Sequence, residues 1–444
     1  MKRNELDMLF DRLWPICRSI TGPGIETSLE ILKEYLPLNI KKIRTGEDIF
    51  DWTVPQEWEL LSASLYSEDG ALILSTENSN LHVLNFSDAF TGVVSYEELN
   101  RHLHSYQEMP DAIPYVTSYY KNRWGLCLSD AQRKTLDRSI NYRVEIKARK
   151  YDGFLRYGEY FLQGNSEDLI LITTYLCHPS MANNELSGPL AMLELFEKIS
   201  TLENRHYSYL FLIWPETIGA IAFLATTEHK IIDRVVAGVV LTCLGGPSST
   251  ITFKHTRRDW IGRPSKLDEL INSFVNRDAN NFDQRAFSPT EGSDERQLCS
   301  PGINLPVVQA ARTVYGQYRE YHTNLDTKDF MQIDSVIDSA NKIFLVLRAH
   351  ELNRGFLVSN ISGGEPMLSK RGLYPTLNSP LARKMSSDER LDEGAQLDLL
   401  LGSLSLMDGE HRLIDIANKL NVSYAAIVPL VEHLINVKLV AIKT

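Results

Sequence analysis

An α/β protein built on a mostly parallel sheet is the fold class this sequence predicts, and three observations carry the prediction. From about Asn141 onward, β-type segments alternate with helical ones, the order that lays parallel strands under covering helices. Several β-type segments, such as Leu169–Tyr175 and Val235–Cys243, are apolar almost without interruption, as strands buried on both faces are. The chain has 444 residues, too many for one ordinary core, so two or three domains share it.

The elements follow in order. Leu6, Leu9, Phe10, Leu13 and Ile16 recur at helical spacing, and Thr21-Gly-Pro-Gly24 ends that helix before a second one over about Ile25–Tyr35. From 51 to 130 the texture changes to short β-type pieces, aromatics and turns. Ala71–Leu74 and Leu81–Leu84 read as strands there, with a helical interlude near Tyr96–His104, which predicts a small β-rich domain inserted into the main fold. The main fold thus comprises 1–50 and 131–360. Its later part has strands over Tyr142–Ala148, Leu169–Tyr175, Tyr207–Trp214, Val235–Cys243 and Leu305–Ala310. Helices fall over Gly188–Ile199, Ile218–Thr226, Lys266–Val275 and Ile333–Leu352. Residues 361–395, punctuated by Gly363, Gly364, Pro366, Pro375 and Pro380, read as a linker or strap. In 396–444, three short amphipathic helices (Leu397–Leu406, Leu413–Leu420, Tyr424–Leu434) and a closing strand, Leu439–Ile442, read as a winged-helix-like module.

Composition bounds the function. The net charge of −11 argues against a general binder of nucleic acid or anionic membrane. The terminal module is no exception. From Leu397 to Thr444 four Lys/Arg face five Asp/Glu, and Tyr424–Leu434, the helix that would enter a groove, has no Lys or Arg. Five scattered cysteines without a C-x-x-C pair, a charged N-terminal stretch and no apolar run of about 18 residues lead to the expectation of a cytoplasmic protein. The terminal module is expected to pack or dimerise rather than bind DNA, so a homo-oligomer stays open. The aromatic run Tyr115, Tyr119, Tyr120 and Trp124 is a candidate to shape substrate entry or a subunit contact.

Four polar clusters fall where strands of the main sheet should end, the place where open α/β sheets bind ligands. They are His178 with Asn183, Asn184 and Glu185; Glu216 in Trp214-Pro-Glu-Thr-Ile-Gly219; Ser293-Asp-Glu-Arg296; and His322 in Glu320-Tyr-His-Thr-Asn-Leu-Asp326. Imidazoles and carboxylates ligate zinc, and a carboxylate beside a metal-bound water acts as general base. Each cluster alone also fits a structural role, Glu216 and Asp294 at helix starts and His322 on a solvated loop. Together they point to a hydrolytic metal site.

These segments resemble the co-catalytic zinc aminopeptidases. More closely, the chain is similar to a bacterial group of polysaccharide-biosynthesis proteins with an aminopeptidase-like domain. That likeness rests on Leu13–Gly22, Phe50–Pro55, Cys177–Pro189, Gly292–Gln297 and Lys370–Pro375. The resemblance implies a three-layer aminopeptidase-like core, a small inserted domain and a C-terminal winged-helix-like domain. It matches His178 and His322 to the first and last metal-binding histidines and Glu216 to the general base. The carboxylate that bridges two zincs falls on Asn183, the ligand after the base on Thr217, and a further Asp near Thr242 or Cys243.

Two divalent ions about 3.5–4 Å apart need anionic ligands to offset their charge, which an amide and a hydroxyl do not provide. One zinc ion is therefore expected, with His178, His322, Asp294 and the Asn183 position as candidate metal ligands and Glu216 as the catalytic base. Glu185 is a candidate for the role Asn183 lost, and Arg296, Tyr321 and Glu185 are candidates to bind substrate. The expected function is a metal-dependent hydrolase acting on an amide or peptide-like bond of a small-molecule or peptide-like substrate, in polysaccharide or amino-sugar biosynthesis. The rival is an inactive aminopeptidase fold that binds a ligand or partner.

Overall fold

The computed structural model describes residues 2–361, 363–374 and 393–444. Most of the 361–395 strap, with Pro375 and Pro380, lies outside the described residues. An eight-stranded mixed sheet forms the centre. Its spatial order is Asn39–Arg44, Phe154–Leu162, Ser208–Trp214, Leu169–Tyr175, Val235–Leu241, Val307–Ala311, Ile251–Lys254 and Phe282–Arg285. The four middle strands, from Ser208–Trp214 to Val307–Ala311, run parallel to one another, and antiparallel pairs flank them.

The apolar texture of the middle strands follows from that position. Ile170, Ile172, Tyr209, Phe211 and Ile213 face one core, with the helices Arg3–Leu13, Ser187–Ser200 and Ile333–Leu352. Leu169, Leu171, Leu210, Leu212 and Trp214 face the other, with the helix Ile218–Thr226 and the small domain. A period of two places alternate residues on opposite faces, and both faces are dry, so no polar alternation survives in the sequence.

The inserted region builds a second, antiparallel sheet of four strands in the order Leu72–Ser75, Glu57–Ser67, Asn141–Tyr151, Phe90–Ser95. The strand Asn141–Tyr151, which the sequence reading gives to the main fold, therefore belongs here. Its alternation of buried Tyr142, Val144 and Ile146 with exposed Asn141, Arg143 and Lys147 is that of a sheet wet on one face. Leu81–Leu84, expected as a strand, is a short 3-10 turn over Asn80–His82 capped by the Ser79 hydroxyl.

The C-terminal helices Glu393–Leu406, Leu413–Leu420 and Tyr424–Asn436 share the first core, and the strand Val440–Lys443 pairs with Phe356–Ser359. Tyr424 stacks on Phe274 with centroids 3.9 Å apart and donates its hydroxyl to Ser273 Oγ at 2.8 Å. Arg348 meets Glu432 at 2.7 Å. The helix that would enter a DNA groove thus packs against the α/β body. Among the described residues, no helix is long and apolar enough to cross a membrane.

Candidate functional site

The parallel pairing of Leu169–Tyr175 with Ser208–Trp214 sets Tyr175 beside Trp214. The residues just after each strand, Cys177-His178 and Glu216-Thr217, therefore emerge side by side. They line a cavity of about 360 Å³ together with His322, Ile20, Trp52, Tyr115, Thr117, Tyr119, Tyr120 and Ile218. Four loop residues around it hold left-handed backbone, Ser180 (φ 47°), Thr217 (φ 64°), Cys243 (φ 52°) and His322 (φ 56°). For residues with a Cβ that conformation costs about 1–3 kcal/mol each and collects at functional sites.

On the cavity floor, His178 Nδ1 lies 2.8 Å from Glu185 Oε2, so Nε2 faces the cavity, 3.8 Å from Glu216 Oε2. Glu185 is fully buried, and behind it stands Arg18, also fully buried, its Nε 3.7 Å from Glu185 Oε1. The same Nε donates to the His178 carbonyl at 3.0 Å, and Nη1 donates to the Leu13 carbonyl at 2.7 Å. Burial opposes a charged His178, but Cys177 and Glu185 outweigh it and raise the imidazole well above its usual range. Cys177, His178 and Glu185 bring their donor atoms within 4.8 Å of one another.

Glu216 keeps 29% of its side chain exposed into the cavity. Its Oε1 accepts from Ser293 Oγ at 2.5 Å. Burial raises its pKa, while His178 and the Ser293 hydroxyl pull it back. Ser293 sits on a loop held from behind by Glu295, which accepts from the Ser293 amide at 3.0 Å and from buried Lys254 at 2.8 Å.

The remaining expected site residues fall into two groups. His322 faces the cavity, its centroid 5.3 Å from that of His178, and Tyr321 stacks on its other side at 3.9 Å. Burial and then the charge on His178 push the His322 pKa down to about 3. Asn183 and Asp294 do not face the cavity. Asn183 Oδ1 accepts from the Gly245 amide at 2.8 Å. Asp294 accepts from Thr217 N at 2.6 Å and Trp214 Nε1 at 2.7 Å, fixing the turn that presents Glu216. Burial, then Glu216, raises the Asp294 pKa well above the usual carboxylate range. Arg296 is half-buried outside the cavity, its Nη1 toward the Pro289 carbonyl at 3.4 Å.

Sequence reasoning missed Arg18, Ser293 as a partner of Glu216, and Asp326. Asp326 accepts from the amides of Asn183 and Asn184 at 2.7 and 2.8 Å and so holds the wide π-helical turn Ala182–Leu186 that carries Glu185. It ends the His322 motif, and its spacing alone gave no sign of this partner. Trp124 stacks between Phe90 and His102, away from the cavity.

A family model described as a domain of unknown function, DUF4910, matches residues 7–353, and a winged helix-turn-helix model matches 356–442. A Clostridium acetobutylicum protein named as a candidate polysaccharide biosynthesis protein with an aminopeptidase-like domain is 36% identical over 423 residues, 95% of this chain and 93% of that protein. The crystal structure of a candidate peptidase from Clostridium acetobutylicum superposes with a TM-score of 0.84 at 33% identity, over 99% of this chain and 96% of the other. A zinc aminopeptidase of Bacillus subtilis shares the fold, with a TM-score of 0.52 at 11% identity, over 78% of this chain and 95% of the other.

Proposed function

This chain belongs to the DUF4910 family, an aminopeptidase-like fold followed by a winged helix, and from that premise we propose that it is a metal-dependent hydrolase of an amide or peptide-like bond. The observation that carries the reading is the meeting, in one cavity, of His178 Nε2, His322 and Glu216, three residues more than 100 positions apart across their span. The relative's name supports a substrate from polysaccharide assembly.

The donors fit one ion. Glu185 engages His178 Nδ1 and leaves Nε2 to the cavity, the carboxylate–histidine arrangement that orients metal-binding imidazoles. His322, held neutral by its surroundings, offers a second lone pair. A second ion lacks donors, because Asn183 Oδ1 and both Asp294 oxygens are engaged elsewhere. His178 and His322 would hold a zinc-like ion, which would supply Lewis acidity toward a carbonyl and a water of lowered pKa. Two protein donors grip more weakly than the usual three of catalytic zinc, so partial loading is expected.

The chain's own groups do the rest. Among the described residues, Glu216 is the one carboxylate lining the cavity, and its Oε2 can take a proton from attacking water and pass it to the leaving amine. Ser293 fixes the other oxygen, so the accepting one stays aimed at the cavity. Release of amine from a panel of aminoacyl and N-acyl amides, by protein loaded with zinc, cobalt or manganese, tests the reading. Turnover in the wild type that vanishes in Glu216→Gln supports it, and no turnover with any metal or amide refutes it. The engagement of Asn183 Oδ1 favours a second reading, an aminopeptidase fold that binds a ligand without turning it over.

A further inference from the structure

The cavity's outer half comes from the small domain, and its chemistry differs from that of the floor. Trp52 and Tyr120 meet edge to face at its mouth, with centroids 5.6 Å apart and planes at 79°. Tyr120 is 55% exposed and holds φ 61°, and two residues before Trp52 the exposed Phe50 holds φ 56°. Exposed aromatics in left-handed backbone are costly twice, through lost burial and through strain, and such positions collect at ligand clamps.

The neutral polar groups come from this half and from Thr217 at the strand end. Trp52 Nε1, the Tyr120 hydroxyl and the hydroxyls of Thr117 and Thr217 make no hydrogen bond within the described protein, and all four residues line the cavity. Among the described residues, no lysine or arginine lines it. A phosphate or carboxylate on the substrate would thus meet Glu216 with no lysine or arginine fork to pair with. A ring with apolar C–H faces and several hydroxyls meets what is present, flat aromatic faces and unspent neutral donors. At about 360 Å³ the cavity lies at the small end of the roughly 300–1,000 Å³ of ligand sites, room for one ring with a short substituent.

We propose that this cavity binds the ring of an N-acyl amino sugar, packed against the Trp52–Tyr120 pair with its amide toward Glu216 and His178. The inference rests on the amide-hydrolase reading for the reaction and on the cavity alone for binding. In the reaction, water oxygen bonds to the acyl carbon and the C–N bond breaks. The sugar nitrogen leaves as an amine with the proton carried by Glu216, and the acyl group leaves as a carboxylic acid.

Binding is measured on metal-free full-length protein by calorimetry and saturation-transfer NMR, with N-acetylglucosamine and phenylalaninamide as separate probes. The expected result is saturable binding of N-acetylglucosamine, with the strongest transfer to its ring protons and no comparable binding of phenylalaninamide. Trp52→Ala and Tyr120→Ala each weaken the sugar by about fivefold or more, while Trp52→Phe and Tyr120→Phe, which keep a ring face and lose one donor each, weaken it less than the matching alanine variant. Tyr120 is exposed, so its alanine variant keeps the test alive if Trp52→Ala fails to fold. Tighter binding of phenylalaninamide, or sugar binding unmoved by both alanine variants, or no sugar binding, overturns the proposal. Hydrolysis is assayed separately, so sugar binding without turnover upholds this site while removing the hydrolase reading.

Discussion

The floor and the aromatic wall of the cavity each present a histidine, with centroids 5.3 Å apart, and treat it in opposite ways. His178 has Glu185 and Cys177 as partners and Arg18 behind them, and its pKa goes up. His322 has the rings of Tyr115 and Tyr321 beside it and the charge of His178 nearby, and its pKa goes down. Both are removed from bulk water, so burial alone does not decide the outcome. The sign follows from whether acidic groups share the burial, as Cys177 and then Glu185 do for His178. The pair therefore offers an oriented imidazole on one side and a neutral one on the other.

The largest effect expected from breaking the floor is on chemistry. Glu216→Gln keeps the shape and the Ser293 contact and loses the proton acceptor, so turnover should fall about a thousandfold in steady-state assays with the melting temperature nearly unchanged. Next comes the charge chain. Arg18→Met removes one of the two cations beside buried Glu185 and leaves His178 as the other, and denaturant unfolding should show a loss of about 3 kcal/mol. The double variant Arg18→Met, Glu185→Gln should recover part of it, because no lone charge is then buried.

A third imidazole sharpens the wall side of the comparison at a distance from the cavity. His350 is 3% exposed, stacks on Tyr207 and has, among the described residues, no hydrogen-bond partner for either ring nitrogen. Burial, then Lys266, lowers its pKa to about 4. A folded pKa below the unfolded value means the neutral form is favoured in the fold. Its stability contribution is thus complete above about pH 6.5 and is lost as pH falls toward 4, by up to about 3 kcal/mol. His350→Phe should flatten the wild type's loss of stability between pH 6.5 and 4 in chemical denaturation. The smallest effect is that of Ser293→Ala, which frees one Glu216 oxygen. A loss of about tenfold in kcat with KM little changed is expected, since the hydroxyl orients the acceptor without touching substrate.

Legibility in the sequence followed burial and sequence distance. The middle strands were readable because both faces are dry and the apolar runs are unbroken, as in Ser208–Trp214. The strand Asn141–Tyr151 carried its own signal of alternating exposure, but proximity in sequence to the parallel strands drew it into the wrong sheet. Phe154–Leu162 went unread because Arg156 and Gly158 interrupt its apolar pattern. Arg156 is in fact buried against Glu57 at 2.6 Å, a partner 99 residues away. Within the site, His178, Glu216 and His322 were marked by their place at strand ends. Asn183 and Asp294 carried the same mark, and only coordinates distinguish an oxygen that faces the cavity from one engaged by Gly245 or Trp214. Arg18 was invisible for a related reason, since a residue 160 positions before His178 leaves no spacing to read.

Elemental analysis of the purified, zinc-equilibrated protein beside His322→Ala and Glu216→Gln addresses the centre of this account. It predicts at most one zinc per wild-type chain, retained in Glu216→Gln and lost in His322→Ala. No bound metal in the wild type at any zinc concentration, or an unchanged content in His322→Ala, would contradict it.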